Sequence, residues 1–265
     1  MKYSIILWVL LFLILTNGCE RKENNYKSVY PNINVSDNLV TNDIGHENIF
    51  NDMNTVETEV GITLLFDPSI YNRIVYVDRN VTGLYFSTSA VIGINGLEQL
   101  KFLDTIVFNR VSNLNDFSFL EQLPQIKRIF IDYQTQNINW SFIEKLPNLE
   151  VLSVSSYRQS IISIDLKNNK NIEYIEFTSG ILKAFPTLLN IPDSLLYLNL
   201  EGNNITSLPK DFDKYHSTTI ILSINPFEKD NTTPSNVTLE FASEIILDQK
   251  YYIPTNMQYI RGANP

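Results

Sequence analysis

The chain has 265 residues, of which 44% are hydrophobic and 12% aromatic, enough to bury one sizeable core with short appendages. Its formal net charge is −9, and an acidic chain is a poor partner for the phosphates of nucleic acid. The chain contains one cysteine, so no disulfide can form within it and the fold must be held by packing.

Residues 1–19 have the layout of a bacterial export signal. Lys2 precedes an apolar run from Ile5 to Leu15, which is shorter than the roughly 20 residues that cross a bilayer. Cys19 follows this run, and its position resembles the lipobox of a bacterial lipoprotein, whose cysteine accepts the lipid. The alternative is a free cysteine at the end of an ordinary secretory signal. We expect a lipidated Cys19 that anchors the chain to a membrane of the bacterial cell envelope, at the outer membrane or cell surface.

Two segments separate this signal from the repeats. Residues 20–47 are polar with few apolar side chains, which is typical of a flexible tether. Residues 48–80 are predicted to form an N-terminal cap. In it, a short strand begins at Ile62 and a helix follows, with Asp67 as its N-cap and Pro68 in its first turn.

Residues 81–227 repeat one apolar spacing about seven times. Five apolar residues recur at one constant interval, and each is followed by apolar residues three and five positions later; they are Leu103, Ile126, Leu149, Ile172 and Leu195. This period predicts an α/β solenoid with short parallel strands on the concave face and 3₁₀ or short helices on the outer face. Residues 228–265 lose the period, and short strands at 237–241, 245–247 and 251–253 are predicted to cap the last coil.

The spacing L-x-x-L-x-L resembles that of bacterial leucine-rich-repeat proteins. The segment from Ile94 to Leu100, with the 22–23-residue period, is most similar to the internalin type. This family usually carries Asn at the ninth repeat position, which Asn203 and Asn225 match. The residues found there in other repeats include Ser89, Gln134 and Gly180. The resemblance implies a role in adhesion or host contact.

The residues between the apolar strand positions are predicted to face solvent on the concave side. Aligning the repeats gives two rows about 30 Å long. The middle row is Tyr85, Val107, Phe130, Ser153, Glu176, Asn199 and Ile221, and the preceding row is Gly83, Thr105, Arg128, Val151, Tyr174, Tyr197 and Thr219. Because aromatic and arginine side chains are common interface anchors, the predicted binding residues are Tyr85, Arg110, Arg128, Phe130, Tyr133, Tyr174, Glu176, Tyr197 and Asn199.

Catalysis has little support in the sequence. His46 and His216 are isolated, no nucleophile and base can be paired, and we expect no metal or cofactor. The leading prediction is a non-enzymatic, monomeric, lipid-anchored envelope protein whose concave face binds a protein or glycan. The second is a structural or scaffolding lipoprotein that faces the periplasm. The third is an envelope-polymer hydrolase that uses a concave carboxylate such as Glu176.

Overall fold

The computed structural model of the chain describes residues 59–66, 72–87, 90–134, 137–245 and 257–261. All of them belong to one compact unit, Asp43–Pro265. The predicted export signal, Cys19, the tether and the first part of the N-terminal cap lie outside the described residues. Within these residues, no helix has both the length and the apolar character needed to span a membrane.

The fold is α/β and consists mostly of strands. Numbered in chain order, the strands are β1 Glu59–Phe66, β2 Asn72–Asp78, β3 Gly83–Ser87, β4 Val91–Asn95, β5 Thr105–Asn109, β6 Arg128–Asp132, β7 Val151–Ser155, β8 Ser163–Asp165, β9 Tyr174–Thr178, β10 Thr187–Leu189, β11 Tyr197–Asn199, β12 Thr219–Ile221, β13 Val237–Thr238 and β14 Gln258–Arg261. Nine of them form a parallel sheet in the order β13-β12-β11-β9-β7-β6-β5-β3-β14.

The predicted strand register is confirmed. Ile106 lies opposite Ile129, which lies opposite Leu152, so each step across these strands advances the chain by one period of the apolar pattern. The apolar residues of these strands are fully buried on one side of the sheet. A side chain on every second strand residue points to the same face, so the L-x-L part of the pattern supplies a continuous apolar layer from strand to strand.

The segments between the repeat strands are short and cover the opposite side of this core. Four of them contain the predicted 3₁₀ helices, which are Leu97–Gln99, Ser118–Gln122, Trp140–Lys145 and Phe212–Tyr215. The segments after β7 and β9 instead contain strands β8 and β10, which pair in parallel. Helix Trp140–Lys145 begins at Asn139, whose side chain accepts a hydrogen bond from the backbone nitrogen of Ser141 at 3.2 Å.

The predicted helix of the N-terminal cap is wrong over residues 72–78. These residues form β2, which pairs antiparallel with β1, and β1 also pairs antiparallel with β4. The physical reason is the alternation in Ile74-Val75-Tyr76-Val77, where Val77 is buried and Ile74 and Tyr76 face outward. That pattern and these β-branched and aromatic residues favour a strand. Asp67 and Pro68 lie outside the described residues.

The predicted C-terminal cap is only partly correct. Strand β13 pairs with β12 at the end of the sheet, but it covers only the first two residues of the predicted strand 237–241. Ala242–Ile245 forms a short helix, α1, so Ile245 ends a helix where a strand was predicted to begin. Residues 246–247 and 251–253 of the predicted strands lie outside the described residues. Strand β14 lies beside β3, at the opposite edge of the nine-stranded sheet. There Ile260 is buried opposite Phe86, so burial of this late apolar residue holds β14 against the first repeat strand instead of the last.

Candidate binding surface

The residues of the predicted middle row lie opposite one another on neighbouring strands, and so do those of the preceding row. Phe130 lies opposite Val107 on one side and Ser153 on the other, and Glu176 and Asn199 continue the row. Strand β14 adds Tyr259 beside Tyr85. Arg128 and Tyr174 occupy the preceding row, at the register positions predicted for them.

The expectation that these rows face solvent is wrong for much of their length. Phe130 is only 2% exposed and Glu176 only 6%, and Tyr174 and Asn199 are also buried. Tyr85, Arg128 and Tyr197 are half-buried, whereas Arg110 and Tyr133 are exposed. Alternation along a strand sets the side to which a side chain points, but not what packs over that side. Four of the nine predicted binding residues are therefore parts of the packed interior.

Glu176 is the centre of a buried polar cluster. Its carboxylate accepts hydrogen bonds from the hydroxyls of Tyr174 and Thr178, both at 2.8 Å. The side-chain amide of Asn199 donates to the Tyr174 hydroxyl at 3.3 Å. Burial raises the pKa of Glu176 above its usual range, while the hydroxyls of Thr178, Tyr174 and Ser153 oppose that shift and the charge of Glu201 adds to it. This arrangement engages the buried carboxyl group in hydrogen bonds from side chains of its own strand.

We expect Glu176→Gln to be more stable than the wild type at neutral pH and to have a flatter dependence of stability on pH. With a raised pKa, folded Glu176 keeps its proton over a pH window that starts near the ordinary value of 4.5 and ends at the folded value. In that window the folded state binds more protons than the unfolded state, so the free energy of unfolding falls as pH rises. Glutamine removes this loss. Urea unfolding at pH 4 and pH 7 tests the prediction, with exposed Glu98→Gln as the control. A variant that loses stability at pH 7 would contradict it.

The carboxyl ends of strands β5, β6 and β7 form one partly exposed region of the sheet. Strands β5, β6 and β7 end at Asn109, Asp132 and Ser155, which lie side by side in register and are half-buried. The next residue of each repeat extends this row outward. We call the two rows together the carboxyl strip, which consists of Asn109, Arg110, Asp132, Tyr133, Ser155 and Ser156.

The backbone of the outer row of the carboxyl strip is left-handed. Arg110 has φ 58° and Tyr133 has φ 59°, and the equivalent residues of the later repeats include Ser179, Gly202 and Ile224. Such a conformation costs about 1–2 kcal/mol for a residue other than glycine. It is compensated because the backbone nitrogen of Arg110 donates to the carbonyl of Asp132 at 3.0 Å, and that of Tyr133 to Ser155 at 3.2 Å. The sheet hydrogen bonding thus continues one residue beyond each strand.

Side chains of the carboxyl strip contact one another across the strands. The guanidinium carbon of Arg110 lies 5.3 Å from the centre of the Tyr133 ring, within cation–π distance. One carboxylate oxygen of Asp132 accepts from the Ser155 hydroxyl at 2.7 Å and from the backbone nitrogen of Tyr133 at 2.9 Å. These contacts hold the charged groups and the aromatic ring next to one another.

Tyr85 borders the strip from the first repeat. Its hydroxyl accepts a hydrogen bond from the side-chain amide of Asn109, and its ring centre lies 5.0 Å from that of Tyr259. Burial raises the pKa of Tyr85, while the hydrogen bond from Asn109 opposes that shift. The carbonyl oxygen of the Asn109 amide is buried and makes no hydrogen bond to any described residue.

Ion pairs lie at the amino ends of strands β5, β6 and β7. Arg128 approaches Asp104 at 3.6 Å, and Lys127 approaches Glu150 at 3.4 Å. Solvent-accessible pairs of this kind contribute little to stability, typically about 0–1 kcal/mol. Arg128 is therefore engaged within the sheet, unlike the arginine of the carboxyl strip.

Two rows of polar residues were not identified in the sequence analysis. Both rows recur at the same interval as the apolar residues, so the sequence contains the signal for them. Asn109, Asp132, Ser155 and Thr178 are polar residues that recur with that period, one position after the last apolar residue of each strand. A second row caps carbonyl groups of the preceding repeat: Asn148 donates to Pro124 at 2.9 Å, Asn171 to Pro147 at 3.3 Å and Ser194 to Ile172 at 2.7 Å. The second row supports the turns between the strands, and only the first reaches the exposed strip.

Metal chemistry finds no support in the described part of the chain, where no three His, Cys, Asp or Glu side chains form a group that could hold an ion. His216 is exposed at the end of a 3₁₀ helix, with its ring nitrogen 3.2 Å from the carbonyl of Asp213. No model of a known protein family matches the chain, and no curated protein is similar to it in sequence.

Proposed function

We propose that residues 81–227 form a leucine-rich-repeat solenoid that binds another macromolecule and has no catalytic activity of its own. The support for a solenoid is the register, because six consecutive parallel pairs are each offset by one period of the apolar pattern, as Leu84 is from Ile106. Stacked repeats that share a continuous core are the signature of this architecture.

The observation that carries the binding proposal is the carboxyl strip. It presents an arginine, a carboxylate and an aromatic ring on two neighbouring strands, and Tyr133 is 51% exposed. Exposed aromatic and arginine side chains anchor many interfaces, and the carboxyl ends of parallel strands commonly carry the ligand sites of α/β folds. The predicted binding residues Arg110 and Tyr133 remain in the site, and Asn109 and Asp132 join them.

A retention assay tests this surface. A full chain carrying Cys19→Ser is labelled and incubated with envelopes of the producing cell and, separately, with cultured epithelial cells. We expect saturable retention on one of the two surfaces and at least a tenfold loss of affinity in Arg110→Asn/Tyr133→Asn. Asparagine is chosen because it tolerates the left-handed backbone of both positions.

The matched control is Lys101→Asn/Phe102→Asn, which removes the same charge and another exposed ring in a turn before β5. Its affinity should equal that of the wild type. Equal retention of the strip variant and the wild type, or retention of the wild type by neither surface, would contradict the proposal.

We also propose that a lipid on Cys19 attaches the protein to the bacterial envelope, on the support of the sequence of residues 1–19. We expect Cys19→Ser to move the protein from the membrane fraction to the soluble fraction, because a single apolar run of this length does not span a bilayer. Fractionation and immunoblotting measure this shift. Unchanged membrane association would identify the apolar run as the anchor.

Protease digestion of intact cells then tests whether the carboxyl strip faces the outside of the cell or the periplasm. Loss of the repeat domain, with a periplasmic control protein intact, supports adhesion or host contact. Survival of the domain supports a scaffolding role toward the periplasm.

A further inference from the structure

We infer that the carboxyl strip binds a neutral glycan, an inference that rests on the proposed function and names the chemical class of its partner. The site consists of Asn109, Arg110, Asp132 and Tyr133, bordered by Tyr85. Its ligand is a chain of uncharged pyranose rings with vicinal hydroxyl groups. Three properties of these residues select that class: their hydrogen-bonding capacity, their aromatic surface and the width of the exposed strip.

The first property is hydrogen-bonding capacity that the fold leaves unused. Among the described residues, Arg110 forms no ion pair and contacts the Tyr133 ring. Asp132 uses one carboxylate oxygen for Ser155 and the Tyr133 backbone, which leaves the other oxygen as an acceptor. A sugar hydroxyl both donates and accepts, so vicinal hydroxyls complement an arginine and a carboxylate placed on neighbouring strands.

The side chain of Asn109 also has an unsatisfied hydrogen-bonding group. Its amide nitrogen is committed to the Tyr85 hydroxyl, while its buried oxygen has no hydrogen bond to any described residue. A buried acceptor left without a partner costs about 1–3 kcal/mol. Such groups in folded proteins are commonly explained by a water or a ligand group at the site.

The second property is aromatic surface beside the polar groups. About half of the surface of Tyr133 is exposed, and Arg110 lies over its ring. The electron-rich face of an aromatic ring attracts the weakly positive C–H groups of a sugar ring. A site that combines an aromatic ring with planar polar side chains therefore offers a pyranose both C–H contacts and hydrogen bonds.

The backbone holds these groups in place before any ligand binds. Arg110 and Tyr133 occupy left-handed positions fixed by hydrogen bonds to the next strand. The same conformation recurs at Ser156, Ser179, Gly202 and Ile224, so it is a property of the whole outer row. Because the groups are already ordered, a ligand loses less affinity to the ordering of side chains.

The third property is width, which favours a glycan over a protein. In β5 and β6 the middle residues Val107 and Phe130 are buried, and the half-buried or exposed residues at the carboxyl ends of these strands form a strip two residues wide. A protein interface needs about 800 Å² on each partner, which a strip two residues wide does not readily supply. A glycan chain needs one such strip, and successive strands present their side chains about 4.8 Å apart, close to the length of one sugar ring.

The charge of the strip and of the whole chain favours a neutral glycan over an acidic one. Arg110 and Asp132 compensate each other within the strip, and the chain carries a formal charge of −9. An acidic polysaccharide would be repelled by this overall charge. Binding of a neutral glycan should also be insensitive to added salt, because no ion pair with the ligand is screened.

The test uses the surface that retains the full Cys19→Ser chain, after periodate oxidation of its vicinal diols or after protease treatment. We expect periodate to lower retention at least tenfold and protease to leave it unchanged. Salt should change the wild-type affinity less than twofold. Soluble neutral hexasaccharides of glucose, mannose or galactose should include at least one competitor, and that sugar should bind Tyr133→Asn at least tenfold more weakly than the wild type.

Loss of retention after protease but not after periodate would overturn the glycan inference and identify a protein partner. The proposed function would survive that result, provided that Arg110→Asn/Tyr133→Asn still abolishes retention and Lys101→Asn/Phe102→Asn does not. Retention that neither treatment nor the strip variant alters would overturn both. A hexasaccharide that binds wild type and Tyr133→Asn equally would place the glycan elsewhere and overturn the assignment to the carboxyl strip.

Discussion

Replacing Asn203 by Ala is expected to lower the free energy of unfolding by about 3–5 kcal/mol, because one buried side chain forms hydrogen bonds with two backbone carbonyls, a backbone nitrogen and a tyrosine hydroxyl. Its amide nitrogen donates to the carbonyls of Phe177 at 2.7 Å and Leu200 at 2.9 Å. Its amide oxygen accepts from the backbone nitrogen of Leu182 at 3.2 Å and from the Tyr157 hydroxyl at 2.7 Å. Alanine replaces none of these bonds, and the site is closed to bulk water.

Urea unfolding of the full chain carrying Cys19→Ser measures this loss, with Asn204→Ala as the control. Asn204 is the exposed neighbour, and its described hydrogen bond comes from its backbone nitrogen. The control should therefore change stability by less than about 0.5 kcal/mol. A loss below about 1.5 kcal/mol for Asn203→Ala would show that water replaces the amide and that the four bonds are individually weak.

The register of the sheet could be predicted from sequence because the apolar spacing equals the interval along the chain between paired strands. Phe108 and Ile131 are separated by one such period and do lie opposite each other. Tertiary packing enforces this register, because a slip of one residue would turn the apolar side chains of a strand to the other face. The pattern therefore specifies which residues are neighbours across the whole row.

The exposure of those neighbours could not be predicted in the same way. Phe130 and Glu176 have the spacing of outward-facing residues and are nevertheless buried. Alternation describes two faces of a strand, and burial depends on everything that packs over each face. The same limit explains β2, where the sequence Asp67-Pro68 favoured a helix but the alternation of residues 74–77 produced a strand paired with β1.

The candidate site was partly recovered, although for a different physical reason. Residue type alone points to Arg110 and Tyr133, whereas the structure shows that both have a left-handed backbone just beyond the strands. Among the six equivalent positions only Gly202 is a residue that commonly signals this conformation. The conformation is imposed by hydrogen bonds to the next repeat, so it follows from stacking and not from local sequence.

Gly180 is a position at which the packing of a neighbouring ring requires that no side chain be present. It occupies a ninth repeat position, and the ring of Tyr157 fills the space that a side chain there would need. A Cβ atom at Gly180 would lie 2.2 Å from the Cζ atom of Tyr157. Tyr157 is 3% exposed, its ring packs against Phe177, and its hydroxyl is bonded to Asn203. The ring therefore cannot move aside without breaking the hydrogen bonds around Asn203.

Gly180→Ala should consequently destabilise the protein by about 3 kcal/mol, the upper part of the usual range for overpacking. Gly93→Ala is the control, because its Cβ would meet the terminal methyl group of half-buried Leu65 at 3.1 Å, and it should cost less than about 1 kcal/mol. Tyr157→Ala alone leaves a cavity, but combined with Gly180→Ala it removes the steric overlap. We expect the double variant to be about 2 kcal/mol more stable than the sum of the single changes predicts. Additive losses would mean that the Gly180 backbone, and not contact with the Tyr157 ring, is what the glycine provides.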